Sequence, residues 1–352
     1  MKTALITGVM GQVGSHMADF LLERDYKVVG LKRRSASGSN WRLKNALLNK
    51  NFSLVEGELT DFTSVAGIVN FVKPDEIYNF AAQSHVGTSF EQTSHTFDVN
   101  TIGVLNILNS IKFIGLNNKT RIYQSSTSEM FGSSWDWVKN HGEKYLNFPL
   151  FEGQKDYGPI NGHKGQNENT KFDPQSPYAV SKLAAHNLVK IYREAYGIWA
   201  VGGIMFNTEG PRRHINFVTR KITNYFTKLK SKRDDKLKLG NLDAFRDWSY
   251  AKEAVEAIWL MTNNTSPKEY VIGTGETHSV KEFLNEVYNY YGFDTYSPLE
   301  HFVEIDDNFK RPLEVPYLCA DPTAIQRDLG WVAKTKFKDL VRIMCEEENG
   351  KE

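Results

Sequence analysis

Tyr178 and Lys182 stand four positions apart in the run SPYAVSKL. On a helix that spacing puts both side chains on one face. An ammonium beside a phenol favours the phenolate, which would make Tyr178 a usable base near neutral pH. Upstream, YQSSTSEMFG carries Thr127, Ser128 and Glu129. Glu129 adds a second acid/base group, and Thr127 adds a hydroxyl. One centre could then move a proton together with a hydride, while the other removes a second proton.

A hydride needs an acceptor, and the N-terminus supplies the pattern for one. The apolar run TALIT is followed by TG-x-x-G-x-x-G, with glycines at Gly8, Gly11 and Gly14. The first two permit a tight turn and close approach of a pyrophosphate to backbone N–H groups. The third lets the next helix pack on the strand, and that helix's N-terminus favours phosphate charge. The end of the second strand separates NAD from NADP. An acidic residue there would hold a ribose 2′-hydroxyl. This chain has Lys32, Arg33 and Arg34 instead. Guanidinium groups suit a 2′-phosphate, so the pattern reads as NADP.

These residues need a scaffold. YKVVGL, FSLVEGEL, DEIYNFAA and RIYQSS read as further strands, with helical patterns such as TSVAGIVNFV and NTIGVLNILNSIKFIGL between them. Such alternation predicts an α/β fold: a Rossmann-type doubly wound parallel sheet, with ligands at the carboxyl ends of its strands. Residues 1–206 form the predicted dinucleotide domain. Residues 207–352 form a smaller, mixed α/β C-terminal substrate domain, interleaved with the first. An aperiodic stretch at about 133–172, holding Trp135 and Trp137, is an insertion. It is either a surface excursion or a lid or oligomer contact.

The chain has 352 residues, 40% hydrophobic and 24% charged, with a net charge of +1, so bulk charge gives no reason to expect nucleic acid or a membrane. Cys319 and Cys345 are the only cysteines, too few for a disulfide framework, and no metal-ligand spacing occurs. No secretory leader or long apolar span is evident, which reads as cytoplasmic. The charged stretch KLKSKRDDKLK reads as a solvated loop.

With the glycine loop and YxxxK in place, the chain resembles the extended short-chain dehydrogenase/reductase superfamily. Within it, LITGVMGQVGS, GLKRRSAS, PDEIYNFAAQSHVGTSFE, RIYQSSTSEMFG, NTEGPRR, FVTRKIT, LGNLDAFRDW and RPLEVPYLCADPTA are similar to segments of the GDP-mannose 4,6-dehydratase family. The resemblance spans nearly everything except the insertion. It implies Thr127, Glu129 and Tyr178 as catalytic residues with Lys182 beside the tyrosine. It implies a cofactor site of Gly8, Val9, Met10, Gly11, Gln12, Val13 and Gly14, then Arg33 and Arg34, Glu58 and Leu59. Phe80, Ala81, Ala82, Gln83 and Ser84 continue that site, with Tyr123, Tyr178, Lys182, Thr208 and Arg213. Ser89, Asn207, Val218, Lys221, Leu239, Asn241, Arg246, Arg311 and Glu314 are the implied substrate residues, with the two arginines on the diphosphate. A homodimer or homotetramer is implied too, with the segment from Arg33 to Ser37 crossing between subunits.

The chain departs from the family pattern at Val13 and Glu58, where aspartates are usual, and at Thr208 and Gly210, which turn NHESP into NTEGP. The lost histidine removes a nicotinamide-side contact. The expected reaction is NADP-dependent dehydration of GDP-mannose to GDP-4-keto-6-deoxy-mannose. The rivals are a dehydratase or epimerase on another nucleotide sugar, such as a GDP-heptose, and a catalytically silent NADP-binding scaffold. Glu129 argues against an epimerase, and His85 lacks a partner at ligand spacing and reads as structural.

Overall fold

The computed structural model describes residues 1–34, 40–134, 165–229, 236–292 and 298–349. The apolar runs of the first half become β1 (Thr3–Thr7), β2 (Lys27–Lys32), β3 (Phe52–Glu56), β4 (Glu76–Asn79), β5 (Arg121–Thr127) and β6 (Ala200–Met205). Short strands follow: β7 (Asn207–Glu209), β8 (Leu237–Leu239), β9 (Phe245–Arg246), β10 (Trp248–Tyr250), β11 (Tyr270–Ile272), β12 (His278–Ser279) and β13 (Val303–Ile305). The first six and β11 make one seven-stranded sheet, ordered β11-β6-β5-β4-β1-β2-β3. Every neighbouring pair in it is parallel. This is the Rossmann-type α/β architecture that the alternation of strands and helices led us to expect.

Helices cover both faces, so the central strands are buried on both sides. On one face Met17 and Leu21 of the Gln12–Leu22 helix pack with Val255 and Ile258 of the Ala251–Thr262 helix, over Ile6, Val28 and Tyr123. On the other, Val65, Val69, Ile107, Ile111 and Val189 cover Leu5, Ile77 and Ile122. The long helix Pro177–Tyr196 starts where the sequence provides for it. Ser176 is its N-cap, accepting from the Ala179 N–H, and proline follows at the first position. It ends at Gly197, which takes the left-handed φ of +65°.

A second core forms around Phe226, Trp248, Phe283, Val287 and Met344, supplied by the helices Val218–Leu229, Val280–Tyr290 and Phe337–Asn349. Strand pairs β7–β10, β8–β13 and β9–β12 trim it. Strand order in the large sheet reverses between β1 and β4, which opens a crevice at their carboxyl ends.

The insertion leaves and returns at a pinned neck. The Asp173 N–H donates to the Met130 carbonyl at 3.0 Å, and the Ser134 hydroxyl donates to the Lys171 carbonyl. Beyond the neck, Gln166 is stitched to the C-terminal region. Its N–H donates to the Cys319 carbonyl at 2.8 Å, and its Oε1 accepts from the Cys319 N–H at 2.9 Å. Trp135 and Trp137 lie outside the described residues. So do Ser35, Ala36 and Ser37 of the expected subunit-crossing segment, and residues 230–235 of the charged stretch. Among the described residues no helix is long and apolar enough to cross a membrane.

Candidate active site

The chemistry-bearing residues meet in one crevice of about 1870 Å³. Strand β5 delivers Ser125, Ser126 and Thr127, and the turn Ser128–Met130 presents Glu129. The Pro177–Tyr196 helix brings Tyr178 and Lys182 against the same strand end, one helical turn apart. Thr127, Glu129, Tyr178 and Lys182 are all buried yet line the crevice. The Thr127 hydroxyl is the hub of the group. It accepts from the Glu129 N–H at 3.3 Å and is hydrogen-bonded to the Tyr178 phenol.

Lys182 plays a different part from the one its spacing suggests. Its Nζ donates to the Ser125 carbonyl at 2.9 Å and lies 6.0 Å from the centre of the Tyr178 ring. Burial pulls its pKa down to about 8. Tyr178 is pushed up to about 12, first by burial, with the Thr127 hydrogen bond opposing, Glu129 adding and the charge of Arg213 opposing. In the protein alone, burial therefore outweighs any help to the phenolate, and the cation that helps is Arg213. The i, i+4 spacing put both residues on one face, but the lysine's own hydrogen bond directs its charge to the strand end.

The cofactor limb begins at the glycine loop. Gly8 has φ +63°, and a Cβ there would meet the Ala81 nitrogen at 2.6 Å. A Cβ on Gly14 would run into the Gly8 carbonyl. The loop backbone is thus bare where the Gln12–Leu22 helix begins, a cradle that fits a pyrophosphate. Met10, Gln12, Val13, Arg33, Glu58, Leu59, Thr208, Arg213 and the run Phe80 to Ser84 line the same space. Gln12 Nε2 donates to the Thr208 carbonyl at 2.9 Å and ties the loop to β7. Arg213 is held by Glu209 at 3.1 Å and lies 3.6 Å over the Phe217 ring.

Four residues expected at ligands sit elsewhere. Tyr123 is fully buried beneath Phe80, ring centres 5.8 Å apart, because its position on β5 points into the core. Val9 is fully buried too, against Gly30. Arg34 is exposed and does not line the crevice, whereas Arg33 does. Ser89 is buried behind the Pro177–Tyr196 helix, where its hydroxyl accepts from the Tyr178 N–H at 3.1 Å and donates to the Val86 carbonyl. It positions the tyrosine.

At the opposite limb Asn207, Val218, Lys221, Leu239, Asn241, Arg246, Arg311 and Glu314 all line the crevice. One Glu314 oxygen accepts from Arg246 at 2.9 Å and from Arg311 at 3.0 Å. Arg311 also stands 3.8 Å from Glu129. Glu314, expected among the substrate residues, thus gathers two guanidinium groups. Asp247 fixes this corner from behind, accepting from the N–H groups of Thr274, Gly275 and Ala320 at 2.9–3.1 Å. Burial pushes its pKa up to about 6 against those bonds. His85 caps the Val86–Glu91 helix, its Nδ1 accepting from the Thr88 N–H at 3.1 Å, which is a structural role.

Sequence reasoning missed the support beneath the site. Thr7 Oγ1 is hydrogen-bonded to Asn79 Oδ1, Asn79 Nδ2 donates to Gln124 Oε1 at 2.6 Å, and Gln124 Nε2 donates to the Ser125 carbonyl at 2.9 Å. The signal was available: three apolar strands each carry a polar residue near the carboxyl end.

Solved structures of matching shape include a Thermus thermophilus UDP-glucose 4-epimerase, with TM-score 0.77 and 24% identity over 99% of both chains. A Bacillus anthracis dTDP-glucose 4,6-dehydratase has TM-score 0.78 and 19% identity over 100% of this chain and 98% of that one. The fold is that of the extended short-chain dehydrogenase/reductases.

Sequence comparison narrows the class. The family described as GDP-mannose 4,6 dehydratase matches residues 5–145 and 154–344. GDP-mannose 4,6 dehydratase 1 of Arabidopsis thaliana is 41% identical, covering 99% of this chain and 90% of that one. The Homo sapiens GDP-mannose 4,6 dehydratase is 40% identical, over 97% and 90%. The Vibrio cholerae GDP-mannose 4,6-dehydratase is 38% identical, over 97% and 92%. The chain belongs to the GDP-mannose 4,6-dehydratase family.

Proposed function

We propose that this protein is an NADP-dependent hydro-lyase that converts GDP-mannose to GDP-4-keto-6-deoxy-mannose. One observation carries the reading. Thr127, Glu129 and Tyr178 lie buried between a glycine-loop limb and a two-arginine limb of one crevice. The glycine cradle and the Phe80–Ser84 edge would hold a dinucleotide, with Arg33 near its ribose. When bound, an oxidised nicotinamide supplies a hydride acceptor for C4 of the sugar and returns the hydride at C6.

The chain's own residues move the protons. Tyr178 takes the proton of the C4 hydroxyl, with the Thr127 hydroxyl hydrogen-bonded beside it and the Arg213 charge favouring the phenolate. The resulting 4-ketone acidifies the C5–H bond. Glu129 removes that proton and passes one to the departing 6-hydroxyl, so a single carboxylate serves both halves of the elimination. Arg246 and Arg311 keep N–H donors beyond those shared with Glu314, and these suit a diphosphate. Exposed apolar side chains on neighbouring helices, Phe113 at 72% and Ile191 at 52%, support an assembly of two or four copies.

Incubation of the purified protein with GDP-mannose and NADP should give a product lighter by one water. UDP-glucose should be returned unchanged, and GDP should compete far better than UDP. Absence of water loss from GDP-mannose, with turnover of a UDP- or dTDP-sugar, would move the protein to another substrate.

A further inference from the structure

Gln166 is buried and does not line the crevice, yet it spends backbone and side chain alike on one run of residues, 317–321. Its N–H donates to the Cys319 carbonyl at 2.8 Å, and its own carbonyl accepts from the Asp321 N–H at 2.9 Å. Its Oε1 accepts from the Cys319 N–H at 2.9 Å, and its Nε2 reaches the Tyr317 carbonyl at 3.5 Å. Gly165 permits this approach, since a Cβ there would run into the Cys319 carbonyl. The run pairs with β9 on its other edge. The Phe245 N–H donates to the Pro316 carbonyl at 2.8 Å, and the Leu318 N–H to the Phe245 carbonyl at 3.1 Å. The Ala320 N–H then reaches Asp247 at 3.1 Å. Even-numbered residues face β9 and odd-numbered ones face Gln166, as in a strand paired on both edges.

That run supports the arginine limb. Arg246 lies between Phe245 and Asp247, so it is anchored to the run on both sides. Arg311 and Glu314 come just ahead of the run in the chain, and Glu314 accepts from both guanidinium groups. Gln166 closes the outer edge of this support, and its Oε1 satisfies a Cys319 N–H that would otherwise be buried unpaired. The acid/base turn is held by other bonds, those of Asp173 to Met130 and of Ser134 to Lys171. We infer that Gln166 is a positioning residue for the substrate, holding Arg246 and Arg311 in the arrangement that receives its diphosphate. The inference rests on the diphosphate reading of the two arginines and extends it to a residue that touches neither substrate nor cofactor. A diphosphate lies away from the reacting carbons and is bound alike in ground and transition states. Loss of its support should therefore raise KM and spare kcat.

Equilibrium binding of GDP and of NADP to the full-length protein, with kcat and KM for GDP-mannose, tests it. Gln166→Met keeps the length and burial of the side chain and removes the acceptor. The Kd for GDP and the KM for GDP-mannose should each rise about 10-fold, as misplacing charged hydrogen-bonding partners does. kcat and NADP affinity should stay within about twofold. A fall in kcat with KM unchanged, or equal losses of GDP and NADP affinity, would make Gln166 a general support of the fold and overturn the inference. Unchanged GDP affinity and KM would overturn it too, while leaving the diphosphate reading intact. A parent protein that does not bind GDP would overturn both. Should Gln166→Met fold poorly, Asn167→Ala carries the same test. It removes the contact of Asn167 Nδ2 with Asp321 at 3.1 Å on the same edge. KM should then rise about threefold, again with kcat and NADP affinity preserved.

Discussion

Strand β4 carries a buried polar network at each end, and the two close differently. At its start Glu76 accepts from Lys2 at 2.8 Å, from Tyr26 at 3.2 Å and from Tyr78 at 2.6 Å. Trp259 donates to the Tyr26 hydroxyl at 3.1 Å, and Lys2 also reaches Asn263 at 2.6 Å. Each group there is answered by the protein itself. At the other end Asn79 begins a ladder that runs through Gln124 to the Ser125 carbonyl and stops at Lys182. Beyond Lys182 come Tyr178, Thr127 and Glu129, whose remaining donors and acceptors face the crevice. Buried polarity alone therefore does not mark the site. A network that closes on itself holds the fold, and one that ends on unspent groups in a crevice awaits a ligand.

The sharpest way to test this contrast is at the open end. Glu129→Gln keeps the shape and removes the base. Water loss should fall about 10²- to 10⁴-fold, the usual worth of a positioned acid/base group. Oxidation at C4 should persist, seen as reduced nicotinamide absorbance on mixing with substrate. A variant that still eliminates water and still exchanges the C5 proton with solvent at the original rate would take Glu129 out of the mechanism.

At the closed end the same kind of change should strike the fold. Glu76→Leu removes the acceptor shared by Lys2, Tyr26 and Tyr78, and leaves the fully buried Tyr78 hydroxyl short of a partner. Denaturant unfolding should show a loss of about 3 kcal/mol, while kcat stays within about twofold. A large fall in kcat with unchanged stability would show that the two ends are not separable in this way.

The sequence told the ends apart unevenly. Glycine spacing, strand–helix alternation and the YxxxK spacing are local patterns, so the sheet, the loop and the shared face of Tyr178 and Lys182 were readable. The partner of Lys182 was not, because it is the carbonyl of Ser125, brought to it by packing of the helix on β5 across 57 residues. Tyr123 and Val9 show the limit of carrying roles by motif. Each sits inside a ligand-associated run, yet strand alternation turns Tyr123 into the core, and the glycine turn seats Val9 against Gly30 of β2. Glu314 lies close in sequence to Arg311, but its link to Arg246 spans 68 residues and needed coordinates.

The smallest expected effect reverses the usual sign of mutation. Lys182 is 3% exposed, and burial has lowered its pKa from 10.5 to about 8. Below pH 8 it is charged in both folded and unfolded chains, so folding bears the full cost of burying the ammonium. Between about 8 and 10.5 the unfolded chain holds the proton and the folded one does not. The unfolded state then binds more protons, and stability rises with pH across that window. A shift of this size corresponds to roughly 3 kcal/mol at neutral pH. Lys182→Met removes that cost but gives up the bond to Ser125, worth about 1 kcal/mol. Gln124 still donates to that carbonyl, so it is not orphaned. The variant should therefore be more stable at pH 7 by about 1–2 kcal/mol, as expected where a charged group is held against the fold's interest. Its advantage should shrink as pH rises through 8 towards 10.5. Denaturant unfolding at pH 7, 8.5 and 10 decides it. A variant less stable at pH 7, or one whose difference from the parent does not move with pH, would place Lys182 with the closed network instead of the open one.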